Sequence, residues 1–249
     1  MAAVKQIALL AALASALAAQ PGRFGAPACA GDDQELADRS FFLLCHSASR
    51  NVPLWVGYEL TPSRLTGAAV RSSHFRADRA LARPGARDSD YKGSGFSRGH
   101  LAPAADFAWS DEAVRATFLL SNVAPQLQQV NAGVWARLEH GVRRLAADAD
   151  AVYVFSGPVF AGEPAVIGAG RVAVPAHFFK TILVVKDGQR TMYGALIPNR
   201  HCDEPLSHFS TSVEEIERRT GLNFFNLLEH EEQETLESAR PQLPDARAQ

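Results

Sequence analysis

Apolar residues fall in short dense runs separated by polar or glycine-bearing stretches, a rhythm that predicts many strands and few helices. Residues 40–45 and 53–60 read as strands, the second rich in aromatic and β-branched side chains. Residues 61–99 hold five glycines, two prolines and many charges without a sustained period, which predicts an irregular excursion over the surface. A short helix is expected over 110–116, capped by Ser110 or Asp111, and residues 118–123 then look extended. From Asn131 the spacing turns helical, with Val134, Leu138, Val142 and Leu145 repeating at four, four and three. Residues 151–156, 172–174, 181–185 and 191–198 form a later group of strands, and a helix over 214–220 stops at Gly221. The expected fold is α+β: a mainly antiparallel central sheet flanked by helices, in one domain over 31–230, with 231–249 a polar tail.

Composition narrows the class. At 249 residues, 47% hydrophobic and 21% charged, the chain has enough apolar surface for a core, and wholesale disorder is excluded. Lys5 followed by an apolar run from Ile7 to Ala19, too short to span a bilayer, reads as a secretory signal peptide over 1–19. The expected location is therefore secreted or periplasmic, with no membrane attachment after cleavage. Small residues fit cleavage after Ala18 or after Ala30. The first leaves Cys29, Cys45 and Cys202, with Cys29–Cys45 the local pairing; the second leaves Cys45 and Cys202. Their spacing matches no zinc pattern.

The net charge of −2 hides an uneven distribution. From Arg71 to His100 seven basic residues face three acidic ones, whereas eight glutamates and two arginines fill Glu214 to Glu237. The second stretch reads as a solvated helical face. The first lies beside the candidate chemistry, where it would steer phosphates. In Arg98-Gly99-His100, the histidine takes a proton near neutral pH and the arginine offers a planar fork suited to phosphate oxygens, with Gly99 as a hinge. On the helix, Asn131, Trp135, Glu139 and Arg143 are four apart and share a polar stripe. Asn131 is a neutral oxygen ligand suited to Mg²⁺, which keeps most of its waters. Eight helical residues span about 12 Å, so Glu139 would reach such an ion only through water. Gly95, Ser97 and Gly99 also fit the G-x-S-x-G nucleophile elbow, but no apolar strand precedes Ser97 and Pro103 opposes an immediate helix.

These residues carry a resemblance. Residues 53–56, 90–104, 117–126, Asn131 with Trp135 and Glu139, 156–158, 172–180 and 216–222, in this order, resemble the DNA/RNA non-specific endonuclease family, most of all its endonuclease G and exo/endonuclease G-like branches. The resemblance implies a ββα-metal site acting on DNA and RNA. His100 would be the general base, Asn131 the direct Mg²⁺ ligand with Mn²⁺ as substitute, and Glu139 the residue orienting metal-bound water. Arg98 and Arg143 would hold phosphate, Arg71 would be a further substrate-binding arginine, and a homodimer is left open. One departure stands out: Ser97 occupies the place where the family usually has aspartate. Losing that carboxylate removes a charge that would raise the pKa of His100. Activity is expected to persist, with altered ion preference. The competing account is a nucleic-acid-binding relative that has lost catalysis through Ser97.

Overall fold

The computed structural model describes residues 22–70 and 74–244. Residues 1–19, expected to be a leader, and Arg71 therefore lie outside the described residues. Seven strands pair in one antiparallel sheet: β1 (Gln34–Asp38), β2 (Leu43–Ser47), β3 (Val52–Leu60), β6 (Ala151–Val159), β9 (His177–Lys186), β10 (Gln189–Pro198) and β11 (Ser210–Thr211). Two short ribbons stand apart from it, β4 (Ser97–His100) with β5 (Val123–Gln126) and β7 (Val166–Ile167) with β8 (Val172–Ala173).

Successive side chains of a strand point to opposite faces, and here both faces are covered. Val152, Val154, Phe178 and Ile182 pack on one side with Leu138 and Val142, whereas Tyr153, Phe155, Phe179 and Leu183 pack on the other with Val213, Ile216 and Phe224. Burial on both sides explains why the central strands read as unbroken apolar runs. The α-helices among the described residues are α1 (Asp88–Tyr91), α2 (Asp111–Thr117), α3 (Ala136–Ala147), α4 (Val213–Thr220) and α5 (His230–Ser238). α3 covers the first face; α4 packs through Val213 and Ile216 on the second. No helix among the described residues is long and apolar enough to cross a membrane.

Local chemistry fixed several boundaries as expected. Ser110 caps α2 by accepting from the Ala113 amide, and Gly221 closes α4 in the left-handed region at φ 71°. Cys29 and Cys45 form the local disulfide, leaving Cys202 as a buried thiol.

Four expectations are corrected. Residue 40 is not in a strand: Ser40 turns with φ 65° and donates its amide to Asp38 Oδ1 at 2.7 Å, so β2 begins only at Leu43. Residues 118–123 are not extended throughout. A 3-10 turn (Leu120–Asn122) interrupts them, braced by the Asn122 amide, which accepts from the Ala102 N–H and donates to the Ala102 and Thr117 carbonyls, all at 2.9 Å. The helix from Asn131 starts as a widened π turn (Val130–Trp135), with Gly133 at φ −103° and ψ −108°, and becomes regular only at Ala136. Finally, the folded unit passes both bounds drawn at 31 and 230. Phe24 is buried in the second core, and the supposed tail carries α5 and the buried Leu243.

Candidate active site

The ribbon β4–β5 and the helix α3 make one ββα unit. Strand β4 pairs with β5 in the register Ser97 with Gln126, Arg98 with Pro125, Gly99 with Ala124 and His100 with Val123. Alternation puts Arg98 and His100 on one face and Ser97 and Gly99 on the other. Gly99 is no hinge. A Cβ there would lie 2.7 Å from Gln126 Cβ and 3.1 Å from the Ala124 carbonyl oxygen, so it is the close packing of strand and partner that demands glycine.

His100 ends β4 and is 8% exposed. Its ring packs against Phe75, at 5.0 Å, and Phe118, edge-on at 4.9 Å, and those two rings also touch each other at 4.9 Å. The indole of Trp135 donates to the His100 carbonyl at 3.2 Å, which ties the end of the ribbon to the start of the helix. Arg98 is half-buried and lies over the same Phe75 ring, at 5.7 Å, and over Tyr91 at 5.4 Å. Its Nε sits 2.6 Å from Asp88 Oδ1, and an Nη donates to the Asp88 carbonyl at 2.9 Å. Phe75 is therefore common ground for His100 and Arg98. Ser97, on the far face, donates its hydroxyl to Gln128 Oε1. It opens a strand in a ribbon and no helix follows directly, so the nucleophile-elbow reading has no geometry behind it.

On the helical side, Asn131 is half-buried in the widened turn, its N–H bonded to the Leu127 carbonyl at 2.9 Å. Glu139 stands in the first turn of α3, where the helix dipole favours a carboxylate. Arg143, one turn further, donates to the fully buried carboxylate of Asp106 at 2.8 Å. Asp106 also accepts from the Tyr58 hydroxyl at 2.8 Å. Burial, and then the charge of Asp106, hold that phenol well above its ordinary range.

Beneath α3 lies a cation that the sequence reading passed over. Lys180 of β9 is wholly buried, donates to Ser156 Oγ at 2.6 Å, and sits 4.7 Å from the Trp135 ring. Burial draws its ammonium below the usual lysine range; the carboxylates of Glu139 and Asp106 oppose that shift. A lysine inside the apolar run His177–Lys186 was the visible signal. Asp88, Asp106 and Phe75 were missed too, since nothing near them in sequence announces a role.

The donor set suits a hydrated divalent ion. Among the described residues no group of three or more His, Cys, Asp or Glu side chains is assembled to hold a metal. By donor type, the Asn131 amide oxygen and the Glu139 carboxylate are groups that a hydrated divalent ion can take, since such an ion needs one or two protein oxygens and keeps its waters.

Comparisons with known proteins agree with this geometry. Mitochondrial endonuclease G of Bos taurus is 40% identical over 235 residues, spanning 84% of this chain and 79% of that protein. Nuclease C1 of Cunninghamella echinulata var. echinulata is 36% identical over 83% of this chain and 88% of its own. A chain from the crystal structure of the EndoG/EndoGI complex superposes with a TM-score of 0.77 at 32% identity, covering 84% of this chain and 91% of that one. Residues 20–231 match the DNA/RNA non-specific endonuclease family. With its ββα unit, its Arg98 and His100 on one strand face and these relatives, the chain belongs to the DNA/RNA non-specific endonuclease family of nucleic-acid-cleaving enzymes.

Proposed function

We propose that this chain hydrolyses phosphodiester bonds within both DNA and RNA without sequence preference, using Mg²⁺ held directly by Asn131 and through water by Glu139. Mn²⁺ would satisfy the same donors. The observation that carries the reading is the convergence on one ββα unit: Arg98 and His100 share a strand face and the Phe75 ring, and Trp135 anchors that strand to the helix bearing Glu139 and Arg143.

In this reading His100 takes the proton of the attacking water, its ring held against Phe75 and Phe118. Arg98 and Arg143 grip phosphate oxygens, each with part of its guanidinium already committed, to Asp88 and to Asp106. When bound, the ion supplies positive charge to the scissile phosphate and the departing oxygen. Arg76, Arg79, Arg83, Arg87 and Lys92 are exposed on the preceding excursion and would draw in the polyanion, making binding salt-dependent. Arg71 would extend that surface. Ser97 adds no charge, so the reading requires that His100 work without a neighbouring carboxylate on β4.

A time course on circular DNA and on RNA with Mg²⁺ tests this. Wild type should cut both and EDTA should stop it, while His100→Ala should lose about 10²- to 10⁴-fold in turnover. A His100→Ala protein as fast as wild type would sink the assignment.

Export is proposed on separate support: the Cys29–Cys45 disulfide suits an oxidising compartment. Mass spectrometry of the protein from culture fluid or periplasm should find a mature chain starting after Ala18. A chain lacking Cys29, or one confined to the cytosol, would contradict it.

A further inference from the structure

Strand β5 pairs with β4 on one side, and among the described residues no strand pairs with its other edge. Backbone groups on that edge still need partners. Arg98 and Pro125 stand opposite one another, and Pro125 has no N–H to give to β4. Its carbonyl, like the N–H of Leu127 two residues on, points to the free edge. One side chain meets both. Asn199, just beyond the end of β10, accepts from the Leu127 N–H at 2.9 Å and donates to the Pro125 carbonyl at 3.1 Å, as the peptide of a neighbouring strand would. Its second amide hydrogen goes to the Pro175 carbonyl at 3.0 Å, and its backbone N–H to the Ala176 carbonyl at 2.8 Å. Pro198 before it pairs with His177 of β9. Asn199 is thus fastened to the central sheet while it holds the corner of the ribbon. An aspartate would have no donor for the two carbonyls, and a serine only one.

That corner carries Asn131. The Leu127 carbonyl accepts from the N–H groups of Val130, at 3.0 Å, and Asn131, at 2.9 Å. A single peptide therefore connects the bond made by Asn199 to the bond made by Asn131. The widened turn that follows contains Gly133 outside helical geometry, so it does not hold Asn131 as rigidly as a regular helix would. We infer that Asn199 is a positioning residue: by completing the free edge of β5 it fixes the corner at Leu127 and sets where the Asn131 carboxamide stands relative to His100. It acts through Leu127. Its effect on catalysis rests on the proposed role of Asn131, whereas the clamp itself does not.

Amide hydrogen exchange on the metal-free protein tests the clamp. In Asn199→Ala the Leu127 N–H loses its acceptor and should exchange about 10-fold faster or more, with Val130 and Asn131 following as their shared acceptor loosens. Unchanged exchange at Leu127 would overturn the clamp. Mn²⁺ titration followed by electron paramagnetic resonance reads the positioning without turnover. Affinity should fall about 10-fold, the size seen when a supporting partner of a metal site is removed. At fixed Mg²⁺, kcat should fall by a similar factor with KM for DNA unchanged, since Arg98 and Arg143 keep their partners. Wild-type Mn²⁺ affinity in a variant whose Leu127 exchanges fast would overturn the positioning role. Ile216→Val, in the second core, separates this from a general loss of stability: it should lower Tm and keep Mn²⁺ affinity. If it weakened Mn²⁺ binding equally, the proposal would fall. Should Asn199→Ala fail to fold, Asn199→Ser, which leaves room for water at the two carbonyls, should show the same losses. Wild-type exchange and affinity in that variant would be equally fatal. An Asn131→Ala protein that binds Mn²⁺ like wild type would overturn the metal role of Asn131, while exchange at Leu127 still decides the clamp.

Discussion

The two faces of the sheet bury charge by opposite means. Under α3 the fully buried anion has its own cation: Asp106 meets Arg143 at 2.8 Å. On the other face, where α5 meets α4, two carboxyls share a hydrogen bond with no cation between them. Burial pushes Glu217 up to about 7 and raises Glu237 as well. Gln233 donates to Glu237 at 2.7 Å, and Glu217 accepts from the Phe224 amide at 2.7 Å. The stretch read from sequence as a solvated acidic face thus contains a pair that needs a proton. The lesson is that compensation, not burial alone, decides whether a charged cluster depends on pH. A proton shared between like groups is lost at high pH, whereas Asp106 keeps a partner that stays charged throughout.

Two substitutions would break this contrast. The larger effect belongs to Asp106→Asn, which keeps the shape and removes the charge. Arg143 and the buried Lys180 would then face one carboxylate fewer, and unfolding in urea should show a loss of about 3 kcal/mol or more, since removing one partner of a buried pair strands the other. Stability equal to wild type would mean that Arg143 finds solvent instead. The smaller effect belongs to Glu217→Gln, and its sign is reversed. The Glu217 pKa is raised from its ordinary 4.5 to about 7 in the folded state, so between those values the unfolded chain gives up a proton that the native chain keeps. Stability therefore falls as pH rises across that window. Glu217→Gln should raise Tm by roughly 2–4 °C at pH 8 and leave it nearly unchanged at pH 4.5. A Tm gain of equal size at both values would show that the pair does not share a proton.

The parts of the fold legible in the sequence are those set by local rules. Val134, Leu138 and Val142 gave away the buried stripe of α3, and Ser110 and Gly221 marked helix ends by backbone chemistry that needs no tertiary context. Strand β1 was invisible because an edge strand with little to bury need not alternate; Leu36 at its centre is 58% exposed. The turn at Leu120–Asn122 depends on what the Asn122 side chain reaches, twenty residues back at Ala102. At the site, Arg98, His100, Asn131, Glu139 and Arg143 stood out by residue type and spacing. Their supports did not, because Asp88, Asp106 and Lys180 matter only through contacts across 10, 37 and 24 residues.

The alternation of β9 has a consequence for how the chain tolerates change. Phe178 faces the α3 layer, Phe179 faces the α4 layer, and Lys180 returns to the first, where Trp135 and Ser156 receive it. Sliding this strand by one residue would deliver the ammonium into a nest of phenylalanines and leave the hollow beside Trp135 to an aromatic ring. Frame is thus an address, and an insertion or deletion in the loop before His177 threatens the candidate centre more than most substitutions made within sight of it.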